Sequence, residues 1–452
     1  MIRSFIPTVL FILLAPFASL AQETTEKSKR GKLSGQLRTY YMNTFNKGSL
    51  KDFRALAVGG KIKYQYRFND NLEFGLAGYN STNTWIQDLT IPDTETGKLS
   101  RYEEGLFDRL NLDNKFVFLL GELYMNYGLE KHEFRLGRMK IKSPLVNPED
   151  GRMIPSLFQG FLYQYKPSNR NNFQFGIFNE VAPRSTGEFY PIGESIGTYG
   201  VGRDWSGSQS QYKGNTESDF LVVSNVKLEV TDRLNFEIWD YYIDNVSNSV
   251  YFNPKFDVSS RLELQMEWLH QNKIGEGGNE IDSLSYFRAN SSDVLGMKLK
   301  YKWPEDQASV SLAYDRILPH GQFIFPREWG REFLFSFQKR ERSEGTADNH
   351  ALVMYYEDVF QLNNPASKIQ TILSVGHQWK PSVANAKLNK YAVPDYTHIN
   401  LDLFFHFEKL KNLKPELLFV TKFSNGDVPD NPNLFLNKTD LFHVDVILNY
   451  TF

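Results

Sequence analysis

The stretch Leu441-Phe442-His443-Val444-Asp445-Val446-Ile447-Leu448-Asn449-Tyr450-Thr451-Phe452 decides the fold. From Phe442 every second residue is apolar, through Val444, Val446, Leu448, Tyr450 and Phe452. His443, Asp445, Asn449 and Thr451 stand between them. A repeat of two describes a β-strand with one face in an apolar medium and the other near water. An edge strand of a soluble sandwich alternates in the same way, so the medium has to be decided by the rest of the chain.

The same alternation recurs from Lys32 onward. Strands are expected at 32–46, 53–68, 71–82, 115–128, 131–140, 158–166, 171–181, 217–231, 234–244, 250–258, 261–270, 291–302, 307–318, 347–360, 369–380, 396–409, 413–424 and 440–452. That makes eighteen, an even number within the range of outer-membrane barrels. Their connections are sorted by length. Every even-numbered strand up to the sixteenth ends in a short turn, such as Asn69-Asp70-Asn71, Glu130-Lys131, Thr231-Asp232-Arg233, Ser259-Ser260 or Pro304-Glu305-Asp306, with Asn363-Asn364-Pro365 in the longest. The long connections fall on the other side, at 83–114, 141–157, 182–216, 271–290, 319–346, 381–395 and 425–439. Short periplasmic turns and long extracellular loops mark a transmembrane barrel, and a soluble barrel has no reason to sort them.

Bulk properties agree. Mean hydropathy is −0.44, which excludes a helical membrane protein and suits a barrel whose strands are half polar. The 36 Phe, 24 Tyr and 7 Trp would supply aromatic girdles. Met1 to Ala21 reads as a secretory leader, with Arg3 ahead of the apolar run Phe5–Phe17 and small residues at Ser19-Leu20-Ala21. The mature chain is expected to run from 22 to 452 as one barrel domain; its first residue is Gln22 rather than Cys, which argues against a lipid anchor. Loss of the leader removes Arg3 and no acid, so the formal charge goes from −2 to −3. That balance argues against a nucleic-acid partner. The absence of cysteine excludes disulfides, Cys–zinc sites and Cys nucleophiles. The free aromatic end, Tyr450-Thr451-Phe452, is similar to the terminal signal by which the barrel-assembly machinery recognises outer-membrane barrels.

Register assigns faces. In 291–302, Met297, Leu299 and Tyr301 share one side and Lys298, Lys300 and Lys302 the other. A lysine at mid-depth on the lipid side costs roughly 2–4 kcal/mol, so the lysine row is expected to face a water-filled lumen. The same argument turns Lys61 and Lys63 inward beside Ile62, Tyr64, Tyr66 and Phe68, and Lys227 inward beside Val226 and Leu228. Arg135 and Arg138 would both point inward if a bulge sits at Gly137. Acids expected inside are Glu237, Glu263, Glu267, Asp402 and Asp445. Basic and acidic walls set apart would orient a dipolar solute; the plainer reading is that these charges only solvate the lumen.

Three stretches resemble the outer-membrane carboxylate-channel porins, the OprD-like family. They are Asp52-Phe53-Arg54-Ala55-Leu56-Ala57-Val58-Gly59-Gly60-Lys61, Gly151-Arg152-Met153-Ile154-Pro155-Ser156-Leu157-Phe158-Gln159-Gly160, and Phe325-Pro326-Arg327-Glu328-Trp329-Gly330-Arg331-Glu332 with Arg340-Glu341-Arg342-Ser343-Glu344-Gly345 behind it. The resemblance implies a monomeric eighteen-stranded barrel, loops folded inward to narrow the channel, and a ladder of basic side chains guiding solutes that bear a carboxylate, such as amino acids and organic acids. Arg152, Arg327, Glu328, Trp329, Arg331 and Glu332 are the expected constriction residues. Arg–carboxylate pairs there would pin loops to the wall through bidentate contacts, and pinning without solute contact is an equal reading of the same residues. Loop 182–216 departs from a strongly basic pattern, being rich in Gly and Ser with scattered Arg184, Arg203 and Lys213.

An outer-membrane enzyme is the rival from another class. The 8 His are scattered, no Gly-x-Ser-x-Gly occurs, and no His pair has zinc-ligand spacing with a third ligand nearby. No enzyme, cofactor or metal is therefore expected; the partners are outer-membrane lipid and small solutes. Within the channel class the alternative is a general-diffusion or oligosaccharide porin.

Overall fold

The computed structural model describes residues 30–149, 152–303, 305, 307–362, 367–425 and 430–452. The expected leader, Gly151, Pro304, Asp306 and the turn at Asn363-Asn364-Pro365 lie outside them. The barrel strands, numbered along the chain, are β1 Gly31–Asn46, β2 Phe53–Arg67, β3 Leu72–Asn83, β4 Phe116–Leu129, β5 His132–Met139, β6 Leu157–Tyr165, β7 Asn172–Ala182, β8 Leu221–Thr231, β9 Leu234–Ile243, β10 Ser247–Asp257, β11 Leu262–Lys273, β12 Ser291–Trp303, β13 Ala308–Ile317, β14 Asn349–Gln361, β15 Lys368–Trp379, β16 Tyr396–His406, β17 Leu413–Ser424 and β18 Leu441–Thr451. Neighbours pair antiparallel throughout, and β1 pairs with both β2 and β18, so the sheet closes on itself with no free edge. One extra two-residue strand, Tyr190–Pro191, lies against the end of β7. Helix among the described residues is limited to single short turns such as Ile192–Ser195.

The closing seam depends on the two chain ends. Phe452 and Gly35 exchange backbone hydrogen bonds of 2.8 and 3.1 Å, and the Phe452 ring occupies the space where a Cβ on residue 35 would sit. Outward faces are apolar: Leu33, Ile62, Phe118, Leu136, Ile177, Met297, Leu299, Met354 and Leu448 are all exposed on the barrel exterior. Aromatic side chains collect at both rims, with Trp268 and Trp379 at the long-loop end and Tyr64, Tyr127, Tyr450 and Phe452 at the short-turn end.

Two differences from the strands expected by alternation have local causes. β10 begins at Ser247, because residues 244–246 turn tightly on Asn245, whose φ is 54°. β11 runs on to Lys273, because the Gln271 side chain is held inside by Ser249 at 2.9 Å and by the Ile324 carbonyl at 2.9 Å. The bulge expected at Gly137 is elsewhere. Pairing passes from Ala77↔Glu122 to Gly78↔Leu120, which leaves Gly121 as the extra residue and switches the outward series from Phe116, Phe118 and Leu120 to Leu123, Met125 and Tyr127. β5 keeps its register through Gly137 against both neighbours.

The interior is not hollow. Loops from the long-loop end fold inward and bury their own apolar side chains. Trp329 is fully enclosed, edge-on to Phe158 on β6 and to Phe325.

Candidate functional site

What the loops leave open is a lumenal cavity of about 610 Å³. Its wall is built from inward positions of β1 (Gln36, Arg38, Tyr40), β2 (Lys61) and β3 (Tyr79), from the third loop (140–156) through Lys140, Lys142, Glu149 and Arg152, and from the seventh loop (318–348) through Arg331, Phe337, Lys339 and Arg340. Phe404, Glu416, Leu418 and Asp445 close it on the last three strands. Eight lining residues are Lys or Arg and three are Asp or Glu, so the cavity carries a positive excess.

These cations divide by how they are neutralised. On the seventh-loop side, Lys339 reaches Asp402 at 2.6 Å and Glu416 at 3.0 Å, and Arg340 is paired with Asp445. Arg331 lies over Phe333 and Phe337, with Glu149 at 4.0 Å. Across the cavity the balance changes. Arg38 donates to Asn449 Oδ1 at 2.7 Å and to the Arg152 carbonyl, neither of them an anion. Lys140 lies over the Tyr79 ring, and its ion-pair partner among the described residues, Glu122, stands at 4.0 Å. Among the described residues, Lys61 and Lys142 have no hydrogen-bond or ion-pair partner. Burial, reinforced by the neighbouring Lys61 charge, lowers the Lys140 ammonium to about 8.

The seventh loop is held by a separate set of contacts. Glu328 Oε1 accepts the backbone N–H groups of Gly197 at 2.6 Å and Tyr199 at 3.3 Å, and the Glu328 carbonyl accepts the Ser156 hydroxyl at 2.8 Å. Trp329 Nε1 donates to Ser195 Oγ at 2.8 Å. Glu332 accepts the Ser343 N–H at 2.6 Å and the Arg342 guanidinium at 3.2 Å. Arg327 faces Glu344 at 3.5 Å and stacks on Tyr391.

A family model described as outer membrane porin, OprD family, matches residues 125–400, more than half of the chain. The chain belongs to the OprD family of outer membrane porins. Solved structures share its fold at low identity. OccAB4 of Acinetobacter baumannii superposes with a TM-score of 0.68 at 15% identity, covering 94% of this chain and 98% of that one. OccK3 (OpdO) of Pseudomonas aeruginosa gives 0.65 at 16% identity, covering 93% and 95%. OpdK of Pseudomonas aeruginosa, solved with vanillate, gives 0.66 at 14% identity, covering 93% and 98%. Comparison with curated protein sequences finds no match.

The porin therefore sits in the bacterial outer membrane, and OprD-family proteins are channels rather than enzymes. Its long-loop end is extracellular and its short-turn end periplasmic.

The basic residues singled out in the sequence of the porin are spread over several environments. Lys61 and Arg152 line the cavity, as does Arg331. Lys63, one step nearer the periplasm on the same face, is bound to Glu122 at 2.6 Å. Arg135 faces inward over Tyr124 and pairs with Glu133 at 2.8 Å. Lys227 stands opposite Glu237 on the inner face of β8. The row on β12 does face the lumen, but below the cavity and among acids. Lys302 meets Glu263 at 2.5 Å, Lys300 meets Glu357 at 3.1 Å, and Lys298 lies over Tyr355. The separate basic and acidic walls expected there are in fact interleaved.

Arg138 is a correction. With no register shift at Gly137, it falls on the outer face of β5 with Leu136, opposite Leu123 and Gln159. It sits one residue from the extracellular end of the strand, where it hydrogen-bonds Gln159 at 2.9 Å and covers Phe189. An arginine is tolerated at that height because the cost of charge falls toward the membrane interface.

Sequence reading missed Arg38, Lys140, Lys142, Lys339 and Arg340. Arg38 shares its face with Tyr40 and Met42, so that face of β1 does not read as polar. Lys142, Lys339 and Arg340 lie on loops, where a period of two assigns no direction, and Lys140 ends the strand expected at 131–140, whereas β5 stops at Met139.

Proposed function

We propose that this porin passes small carboxylate-bearing solutes, amino acids and organic acids among them, by passive diffusion biased by a cationic wall. The observation that carries the reading is the set Arg38, Lys61 and Lys142, which faces one cavity with no ion-pair partner among the described residues, beside Lys140, whose carboxylate partner Glu122 stands off at 4.0 Å. A carboxylate entering there meets charges that are not closely neutralised by acids among the described residues, and so gains charge-assisted hydrogen bonds at little cost. The opposite side, with Lys339 and Arg340 already engaged, serves chiefly to narrow the passage. Arg152 and Arg331 face solute in this reading. Arg327, Glu328, Trp329 and Glu332 hold the loop. The β12 row, Lys63, Arg135 and Lys227 balance the periplasmic vestibule. Vanillate, the compound in one similar structure, is itself a carboxylate.

Liposome-swelling rates test the proposal: a small carboxylic acid anion should enter faster than its neutral amide and its amine analogue. Equal rates would leave general diffusion. Faster entry of neutral sugars would favour stacking on Tyr40, Tyr79, Phe337 and Phe404, which also line the cavity.

We further infer that residues 22–452 form the mature, monomeric porin, its belt of lipid-facing side chains being apolar, and that the assembly machinery reads Phe452. A chain lacking Phe452 should insert poorly; a normal folded yield would reject that role.

A further inference from the structure

Glu267 on β11, Gly296 on β12 and Asp315 on β13 stand side by side in the register, facing the lumen. Both acids are almost completely enclosed, at 2% and 1% exposure. Among the described residues neither forms a salt bridge. Gly296 makes their meeting geometrically feasible, because a Cβ there would collide with oxygens of both carboxyls. The two lie within hydrogen-bond reach of each other across that gap.

The remaining oxygens bind the seventh loop. Glu267 Oε1 accepts the Phe335 N–H at 2.8 Å, and Asp315 Oδ2 accepts the Ser336 N–H at 2.7 Å as well as the Ser336 hydroxyl. Tyr251 on β10 donates to Glu267 Oε2 at 2.6 Å. Asp315 Oδ1 is left buried with no hydrogen-bond donor. An orphaned carboxylate oxygen against a second carboxyl is satisfied by one proton between them, and two carboxylates in contact cannot both ionise in an enclosed site. The other groups facing the pair are Lys298 on β12, whose ammonium lies over Tyr355, and Tyr355 on β14, whose hydroxyl donates to the Phe335 and Phe337 carbonyls at 2.8 Å each.

We propose that Glu267 and Asp315 share one proton and, in that form, act as a positioning pair that seats the seventh loop in the channel. The successive N–H groups they receive lie between Arg331 and the run Phe337, Lys339, Arg340, all of which line the cavity. Loss of the shared proton places two like charges in contact, separates the carboxyls and unseats Phe335 and Ser336. The inference rests on the reading that the seventh loop narrows the passage, but not on which solute passes.

The test compares wild type with Asp315→Asn. The amide keeps an oxygen for Ser336 and turns its NH₂ toward Glu267, so it imitates the protonated pair at every pH. Single-channel recordings at rising pH should show open-channel conductance increasing in wild type, as the loop that narrows the passage is unseated, and staying constant in Asp315→Asn. Infrared spectra at neutral pH should show a protonated-carboxyl stretch in wild type that Asp315→Asn loses. Glu267→Gln replaces Asp315→Asn if the latter fails to assemble, with the same two expectations. Matching pH profiles in wild type and variant, or an unchanged carboxyl band, would overturn the proposal. The infrared reading does not depend on conduction, so its failure is separable from a failure of the carboxylate reading.

Discussion

Arg340 of the seventh loop is paired with Asp445 on the last strand, and both side chains are buried. The same guanidinium reaches the Tyr40 hydroxyl on β1 at 2.8 Å and His443 Nε2 at 3.0 Å, so one side chain ties the loop across the closing seam. Removing one partner of a buried pair strands the other charge, at a cost of about 3–5 kcal/mol. Arg340→Met should therefore free the end of the loop, raise single-channel conductance and lower the thermal unfolding temperature. Wild-type conductance in that variant would mean that the loop is positioned without this contact.

The lysine row on β12 is the conspicuous charge pattern in the sequence, yet Lys300 and Lys302 already face Glu357 and Glu263. Replacing Lys298, Lys300 and Lys302 with Gln should leave anion preference nearly unchanged and reduce stability, because Glu263 then loses one of its two lysines and keeps Lys255 at 2.8 Å. Reversal potentials and unfolding midpoints measure the two effects separately. A large loss of anion preference would move the selective region into the periplasmic vestibule.

Lys140 gives the selectivity a pH dependence. Burial and the adjacent Lys61 disfavour its charged form, which therefore persists below about 8 and is lost above. Anion preference should fall as pH rises through about 8, and Lys140→Gln should remove that step. The folded-state value lies below the ordinary 10.5, so the unfolded chain binds more protons between the two, and the folded state gains stability as pH rises across that interval. A selectivity profile flat through about 8 would show that Lys140 does not act on the permeating ion.

The barrel was legible because lipid imposes a strict rule on strands. Each lipid-facing position must be apolar, and the pleat makes those positions every second residue, so Ile62, Met297, Leu299 and Leu448 announce their strands. The same rule turns Lys61, Lys63, Lys227 and the β12 row to the side away from lipid, and of these Lys61 lines the cavity. It failed at Arg138, where an irregularity was placed at the visible glycine, Gly137, although the extra residue is Gly121 on the neighbouring strand. Nothing in the local pattern distinguishes a glycine that absorbs a bulge from one that stays in register. The cavity was only half legible. Side chains such as Lys142, Lys339 and Arg340 take their direction from loop packing, and whether a cation is free depends on acids far away in sequence, as Lys302 and Glu263 illustrate.

The central claim is that lumenal cations with no acid partner among the described residues bias the passage toward anions. Its most direct test is the reversal potential across a planar bilayer under a salt gradient, for wild type and for Lys61→Gln/Lys142→Gln. A unit charge at about 4 Å in water-like surroundings is worth about 1 kcal/mol, close to a fivefold change in relative permeability. The double variant should lose anion preference by about that factor or more, with conductance still in the wild-type range. An unchanged reversal potential in the folded, conducting double variant would contradict the account.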